Sequence, residues 1–142
     1  MKVVFVGFCK NQGDDVAIEN IVRNIQPEFY EQVEIINYPQ NNMFYILGVF
    51  KNAEAVFASR YHAGIIGMLY GRKTYFLSYS DKMVNVLKDI DEKIRYININ
   101  EKISVDVNEF ILQYGYEILP ARLDEIKKSA ERQFLKLDSL LK

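Results

Sequence analysis

Residues 55–80 read AVFASRYHAGIIGMLYGRKTYFLSYS. They decide the fold, because two short apolar, strand-like runs flank a segment of a different kind. Residues 55–58 are apolar and read as a strand, and residues 75–79 read as the next. Between them lies an apolar run with Gly64 and Gly67 in it. Ser59 suits an N-cap and Gly71 suits a C′ stop, so this run reads as a buried helix packed closely on its neighbours.

Outward from this unit the same alternation continues. Residues 3–8 are a β-branched apolar run, followed by the loop CKNQGDD. Asp14 or Asp15 can cap a helix running to about Ile25, and Pro27 ends it. Residues 33–37 form a second strand, and a short apolar helix over 43–51 precedes the third. On the far side, Ser80 caps a helix over 81–90, and residues 95–99 form a fifth strand. Asp106 and Glu109 resemble a capping box for a helix ending at Gly115. Pro120 opens a last helix with Leu123, Ile126, Ala130, Phe134, Leu137 and Leu141 along one stripe. Strands alternating with helices give a parallel sheet covered on both faces. The expected fold is therefore α/β: one domain over 1–142 with a three-layer, doubly wound parallel sheet of about five strands, Rossmann- or flavodoxin-like. The expected strand order is 2-1-3-4-5.

The composition narrows the function. A chain of 142 residues with a formal net charge of −1 and no basic run does not suit nucleic acid. One cysteine, Cys9, cannot form an internal disulfide, which fits a reducing compartment. One cysteine and one histidine do not make a zinc-type ligand cluster, and no cofactor is expected. No apolar run approaches the roughly 20 residues of a membrane span, and the N-terminus lacks signal-peptide character. The expected location is the cytoplasm.

Ligands of an open α/β sheet bind beyond the carboxyl ends of the strands. Three loops lie there: residues 9–15, 59–62 and 79–82. Arg60 and His62 fall in the first turn of one helix and Lys82 in the first turn of the next. Cations at a helix N-terminus are disfavoured by a few tenths to about 1 kcal/mol. A bound anion reverses that sign, since N–H groups, helix dipole and fixed cations then converge on it. Arg60 and His62 thus read as part of an anion site, with Ser59 and Tyr61 in the same turn. Asn11 and Gly13 in the first loop could offer further donors. Asp14 and Asp15 read as caps rather than catalysts. Arg72 and Lys73 stand at the opposite end of the sheet and read as solvent-exposed.

Residues 52–90 resemble the C-terminal half of the polysaccharide pyruvyl transferases. The matching features are the strand ending in Arg60-Tyr61-His62, the small-residue helix, Gly71, the next strand and Tyr79-Ser80-Asp81-Lys82. The resemblance implies one half of a GT-B-like fold and transfer of the enolpyruvyl unit of phosphoenolpyruvate to two hydroxyls of a sugar, in cell-surface or exopolysaccharide biosynthesis. By resemblance, Arg60 and His62 would hold the phosphate and carboxylate of that donor as catalytic residues. Lys82 and Tyr79 would stand beside them. The sugar or polysaccharide acceptor would sit on a second half, supplied by a homo-oligomer or a separate acceptor-binding subunit. One alternative is the nucleotide-sugar-binding half of a GT-B glycosyltransferase. It is disfavoured in the sequence because no Glu or Asp reads as standing at a strand's carboxyl end past the fourth strand. Another alternative is a non-catalytic interaction module that associates through the last helix.

Overall fold

The computed structural model describes residues 1–38, 42–102 and 105–140, with the side chains of the last stretch as far as 132. It contains five strands and six α-helices among the described residues: β1 (Val3–Gly7), α1 (Asp14–Arg23), β2 (Val33–Asn37), α2 (Met43–Asn52), β3 (Ala55–Ala58), α3 (Tyr61–Leu69), β4 (Lys73–Ser78), α4 (Asp81–Ile90), β5 (Tyr96–Asn98), α5 (Val107–Gln113) and α6 (Pro120–Leu140). The fold is α/β and Rossmann-like, with helices interleaved between parallel strands. Two compact units are distinguishable, Met1–Val49 and Phe50–Lys142.

In the first unit β1 and β2 pair in parallel, Val3 opposite Val33 through Gly7 opposite Asn37. Ile18 of α1 and Ile36 of β2 are buried there. In the second unit the order is β3-β4-β5, again parallel, with Ala55 opposite Lys73 and Phe76 opposite Tyr96. These pairings are those that the order 2-1-3-4-5 requires within each unit.

Side chains alternate across the second sheet, as period-two geometry demands. On one face lie Val56, Thr74 and Phe76, against α3. A Cβ added to Gly64 would stand 2.5 Å from Cε1 of Phe76, and one on Gly67 would stand 2.7 Å from Oγ1 of Thr74. The glycines are thus what let the α3 backbone lie directly on the sheet. On the other face Phe57 stacks on Tyr75 at 4.6 Å, and Phe110 of α5 leans against Tyr75 at 5.2 Å. The Tyr75 hydroxyl donates to the Ile111 carbonyl at 3.2 Å. Helix, sheet and helix therefore make three layers in this unit.

Several ends differ from the sequence reading for identifiable reasons. β4 starts at Lys73, because Lys73 and Thr74 already pair with Ala55 and Val56 of β3; Thr74 also exchanges two backbone hydrogen bonds of 2.9 Å with Tyr116 in an antiparallel bridge. Arg72 is not simply solvated. Its Nε donates to the Tyr70 carbonyl at 2.9 Å and its Nη1 to the Ala53 carbonyl at 3.4 Å, so it closes the C-terminal end of α3. Lys73 is half-buried, its ammonium 5.9 Å from the centre of the Tyr75 ring. Gly71 adopts the expected left-handed conformation, φ 64°. The N-cap of α1 is Gly13 rather than an aspartate. Asp14 instead accepts from the backbone N–H groups of Phe8 and Cys9 at 3.0 and 2.9 Å, which ties the loop after β1 to α1. The N-cap of α3 is Arg60, one residue after the expected Ser59.

Asp106 caps α5 as expected, accepting from the N–H groups of Asn108 and Glu109. The reciprocal half of the box is replaced, since Glu109 accepts from the Gln113 side chain at 3.1 Å. α6 is tied to α4 by Arg122, whose Nε and Nη2 donate to the Ile90 carbonyl at 3.1 and 2.9 Å. Leu123 and Ile126 are half-buried and Ala130 is exposed. Phe134, Leu137 and Leu141 lie outside the described side chains.

Asp91, the C-cap of α4, accepts from the Lys93 N–H and from the Tyr116 hydroxyl, both at 2.9 Å. The Lys93 N–H, and after it the Tyr116 hydroxyl, holds the Asp91 carboxyl below its ordinary value. Burial, reinforced by the bond to Asp91, pushes the Tyr116 phenol up to about 12.

Candidate functional site

The carboxyl ends of β3, β4 and β5 define one edge of the second unit. Each strand ends in a polar turn there because the apolar run stops and a helix or turn must begin. After β3 the chain passes Ser59 and Arg60 and enters α3. Arg60 is in extended conformation, φ −100° and ψ 137°, as an N-cap must be. The Arg60 side chain makes no capping bond to this helix, which leaves its first-turn N–H groups uncapped by that residue. His62 is the second residue of α3 and is exposed, with its ring edge-on to Tyr61 at 5.2 Å.

Arg60 does not extend freely into solvent. Its Nη1 donates to the Tyr79 hydroxyl at 2.6 Å, and the guanidinium carbon lies 5.6 Å from the centre of the Tyr79 ring. Tyr79 thus fixes the cation by a hydrogen bond and by its π face. Both residues were singled out in the sequence, and the fold brings them together from loops 19 residues apart. Lys82 is the second residue of α4, exposed, three positions after Tyr79. Ser80 is the N-cap of α4, as expected, but its side chain makes no capping bond. The Ser78 hydroxyl instead donates to the Ser80 carbonyl at 3.0 Å and pins the turn.

Asn11 and Gly13 stand after β1, in the first unit. Asn11 is exposed within a 3-10 turn over Lys10–Gln12. The N–H of Gln12 donates to the Cys9 carbonyl at 3.2 Å, and that of Gly13 to the Lys10 carbonyl at 2.9 Å. Gly13 contributes its left-handed conformation, φ 77°, which closes that turn into α1.

Beyond β4 and β5 opens a concavity of about 400 Å³. Ser78, Tyr79, Ser80 and Asp81 form one wall, with Tyr96, Asn98, Asn100 and Glu101 opposite. A chain of hydrogen bonds shapes that second wall. The Asn98 amide donates to Glu101 Oε1 at 2.6 Å, and Asn98 Oδ1 accepts from the Asn100 N–H at 3.1 Å. The Asn100 amide crosses to the Tyr79 carbonyl at 2.8 Å. Tyr79 therefore belongs to both features: its hydroxyl faces Arg60 and its backbone anchors the pocket.

Sequence reasoning missed this pocket. Glu101 does stand beyond the carboxyl end of β5, which corrects the reading that no acidic residue follows the fourth strand there. The available signal was the alternation in Tyr96-Ile97-Asn98-Ile99-Asn100, which places two amides on one side of the strand and its extension.

Among the described residues no helix is long and apolar enough to cross a membrane. No curated protein and no solved structure matches the chain. The family model for polysaccharide pyruvyl transferase matches residues 1–81. The match takes in both units, and it includes the Arg60–His62 turn and Tyr79, ending just before Lys82. The chain belongs to the polysaccharide pyruvyl transferase family.

Proposed function

We propose that this domain binds phosphoenolpyruvate at the Arg60–His62 turn and presents it for pyruvyl transfer to a sugar. The observation that carries the reading is the Arg60–Tyr79 pair at the open N-terminus of α3, within the stretch that matches the family. Phosphoenolpyruvate is a compact trianion. A guanidinium held in place, uncapped N–H groups and the helix dipole are the donors such a group needs.

The chemistry assigns roles to the side chains. Protonation of the methylene carbon of the enolpyruvyl unit makes its neighbouring carbon electrophilic. Two acceptor hydroxyls add to that carbon and its bond to the phosphate oxygen breaks. Of the two hydroxyl protons lost, one appears on the new methyl group and the other on phosphate. His62, exposed in the first turn of α3, is assigned the role of passing that proton. Arg60 holds the charge that moves onto the leaving phosphate, and Lys82 adds to the positive field. A partner half would complete the enzyme, either a second copy or a separate subunit.

A second reading, the nucleotide-sugar-binding half of a glycosyltransferase, is favoured by one observation, Glu101 in the pocket beyond β5. Calorimetric titration separates the two. Phosphoenolpyruvate should bind, and Arg60→Ala should weaken that binding strongly. Binding of uridine diphosphate with none of phosphoenolpyruvate would favour the second reading.

A further inference from the structure

The geometry points to a subsite for a vicinal diol in the concavity beyond β4 and β5, beside Arg60 and separate from the anion position. Its role as the seat of the acceptor sugar rests on the phosphoenolpyruvate reading above. The diol recognition itself does not.

The lining excludes one class of ligand and favours another. Among the described residues Asp81 and Glu101 line the pocket and no Lys, Arg or His does. Two carboxylates without a cation repel phosphate and carboxylate groups. They accept hydrogen bonds, and hydroxyls are the neutral groups that donate them. Glu101 Oε2 and the Asp81 carboxylate offer separate acceptors, so together they can take the O–H groups of adjacent carbons.

The pocket is also organised before any ligand arrives. Glu101 Oε1 is held by Asn98, which leaves Oε2 for a ligand, and Asn100 is held by the Tyr79 carbonyl. Fixed acceptors lose little freedom on binding, which is where small polar ligands otherwise lose affinity. A volume of about 400 Å³ accommodates one hexose-sized ligand. Tyr79 forms the partition: the diol lies on one side and Arg60 on the other. This is the juxtaposition that ketal formation from two hydroxyls requires. It also places acceptor contacts on this chain, where the family resemblance would put them on a missing half.

A diol can come from a pyranose or from a ribose. The test is a titration of the full chain, without phosphoenolpyruvate, followed by amide chemical shifts. The probes are methyl β-D-glucopyranoside, methyl β-D-galactopyranoside, methyl α-D-mannopyranoside and uridine, with cyclohexanol as a mono-alcohol control. At least one diol should cause saturable shifts at Ser80, Asn98, Asn100 and Glu101 in the millimolar range, and cyclohexanol should not. Glu101→Gln should weaken that binding at least tenfold. A pyranoside response assigns the acceptor, and a response to uridine alone assigns a nucleoside. Absence of saturable shifts with all four diols up to 100 mM overturns the proposal, as does an undiminished response in Glu101→Gln. Because no phosphoenolpyruvate is present, failure of the anion reading leaves this outcome untouched, and the reverse holds too.

Discussion

Replacing Gly64 by Ala tests whether α3 is held against the sheet as closely as the structure requires. The new Cβ would stand 2.5 Å from Cε1 and 3.2 Å from Cδ1 of Phe76. Ordinary contact begins near 3.4 Å, so either the ring or the helix must move by about 1 Å. Phe76 is 1 % exposed, so its ring can give way only by displacing packed neighbours. Overpacking of this kind costs about 1–3 kcal/mol. Against it stands a gain of about 1 kcal/mol from exchanging Gly for Ala inside a helix. The contact is severe and the ring is locked, so the cost falls at the upper end, and the net loss is about 1–2 kcal/mol. For a chain of 142 residues that lowers Tm by roughly 3–7 °C. Gly48→Ala in α2 is the internal control, since a Cβ there meets nothing within 4 Å. It should be neutral or slightly stabilising. Thermal unfolding followed by circular dichroism measures both. A Gly64→Ala protein as stable as Gly48→Ala would refute the close packing of α3, and with it the idea that α3 holds the Arg60–His62 turn rigidly.

Three further outcomes follow from individual contacts. Tyr116→Phe removes the bond to Asp91 and should cost about 1 kcal/mol at neutral pH, with the loss shrinking as Asp91 is protonated in urea melts below about pH 4. The Asp91 carboxyl is depressed in the folded state, so its contribution is present above its unfolded pKa and fades as pH falls through the folded one. Tyr116 has the opposite sign: its phenol is raised to about 12, so its contribution is whole below about pH 10 and is lost as pH rises towards 12. Asp106→Ala should cost about 0.5–2 kcal/mol, read by the same urea melts, because two N–H groups of α5 lose their acceptor.

Most of the scaffold was legible because local signals and tertiary packing agree in it. The β-branched runs, the glycine after α3 and the Asp106 cap each specify their element without outside help. Where the sequence reading failed, a contact outside the local helix or strand pattern was responsible. β4 begins two residues early because Lys73 and Thr74 pair with Ala55 and Val56 of β3, and Tyr116 bridges Thr74 from 42 positions away. Arg72 looked solvated until Ala53 and Tyr70 offered it carbonyls. Asp14 suits a cap by type, but the N–H groups of Phe8 and Cys9 claim its carboxylate. The same division runs through the site. Arg60 and His62 stood out because cations at a helix N-terminus contradict local preference. Glu101 and the two asparagines contradict nothing locally, and only the pairing of β4 with β5 makes them a wall.

The most direct test of the central claim is a thermal melt of the wild-type chain and of Arg60→Ala, each with and without phosphoenolpyruvate. At about 100 times its dissociation constant the ligand should stabilise the wild type by roughly 2.7 kcal/mol. Arg60→Ala should lose most of that gain, while its stability without ligand stays close to that of the wild type, because the bond to Tyr79 is exposed and the change also removes a cation from a helix N-terminus. A wild type indifferent to phosphoenolpyruvate, or an Arg60→Ala protein stabilised as strongly as the wild type, would contradict the assignment of this turn as the donor site.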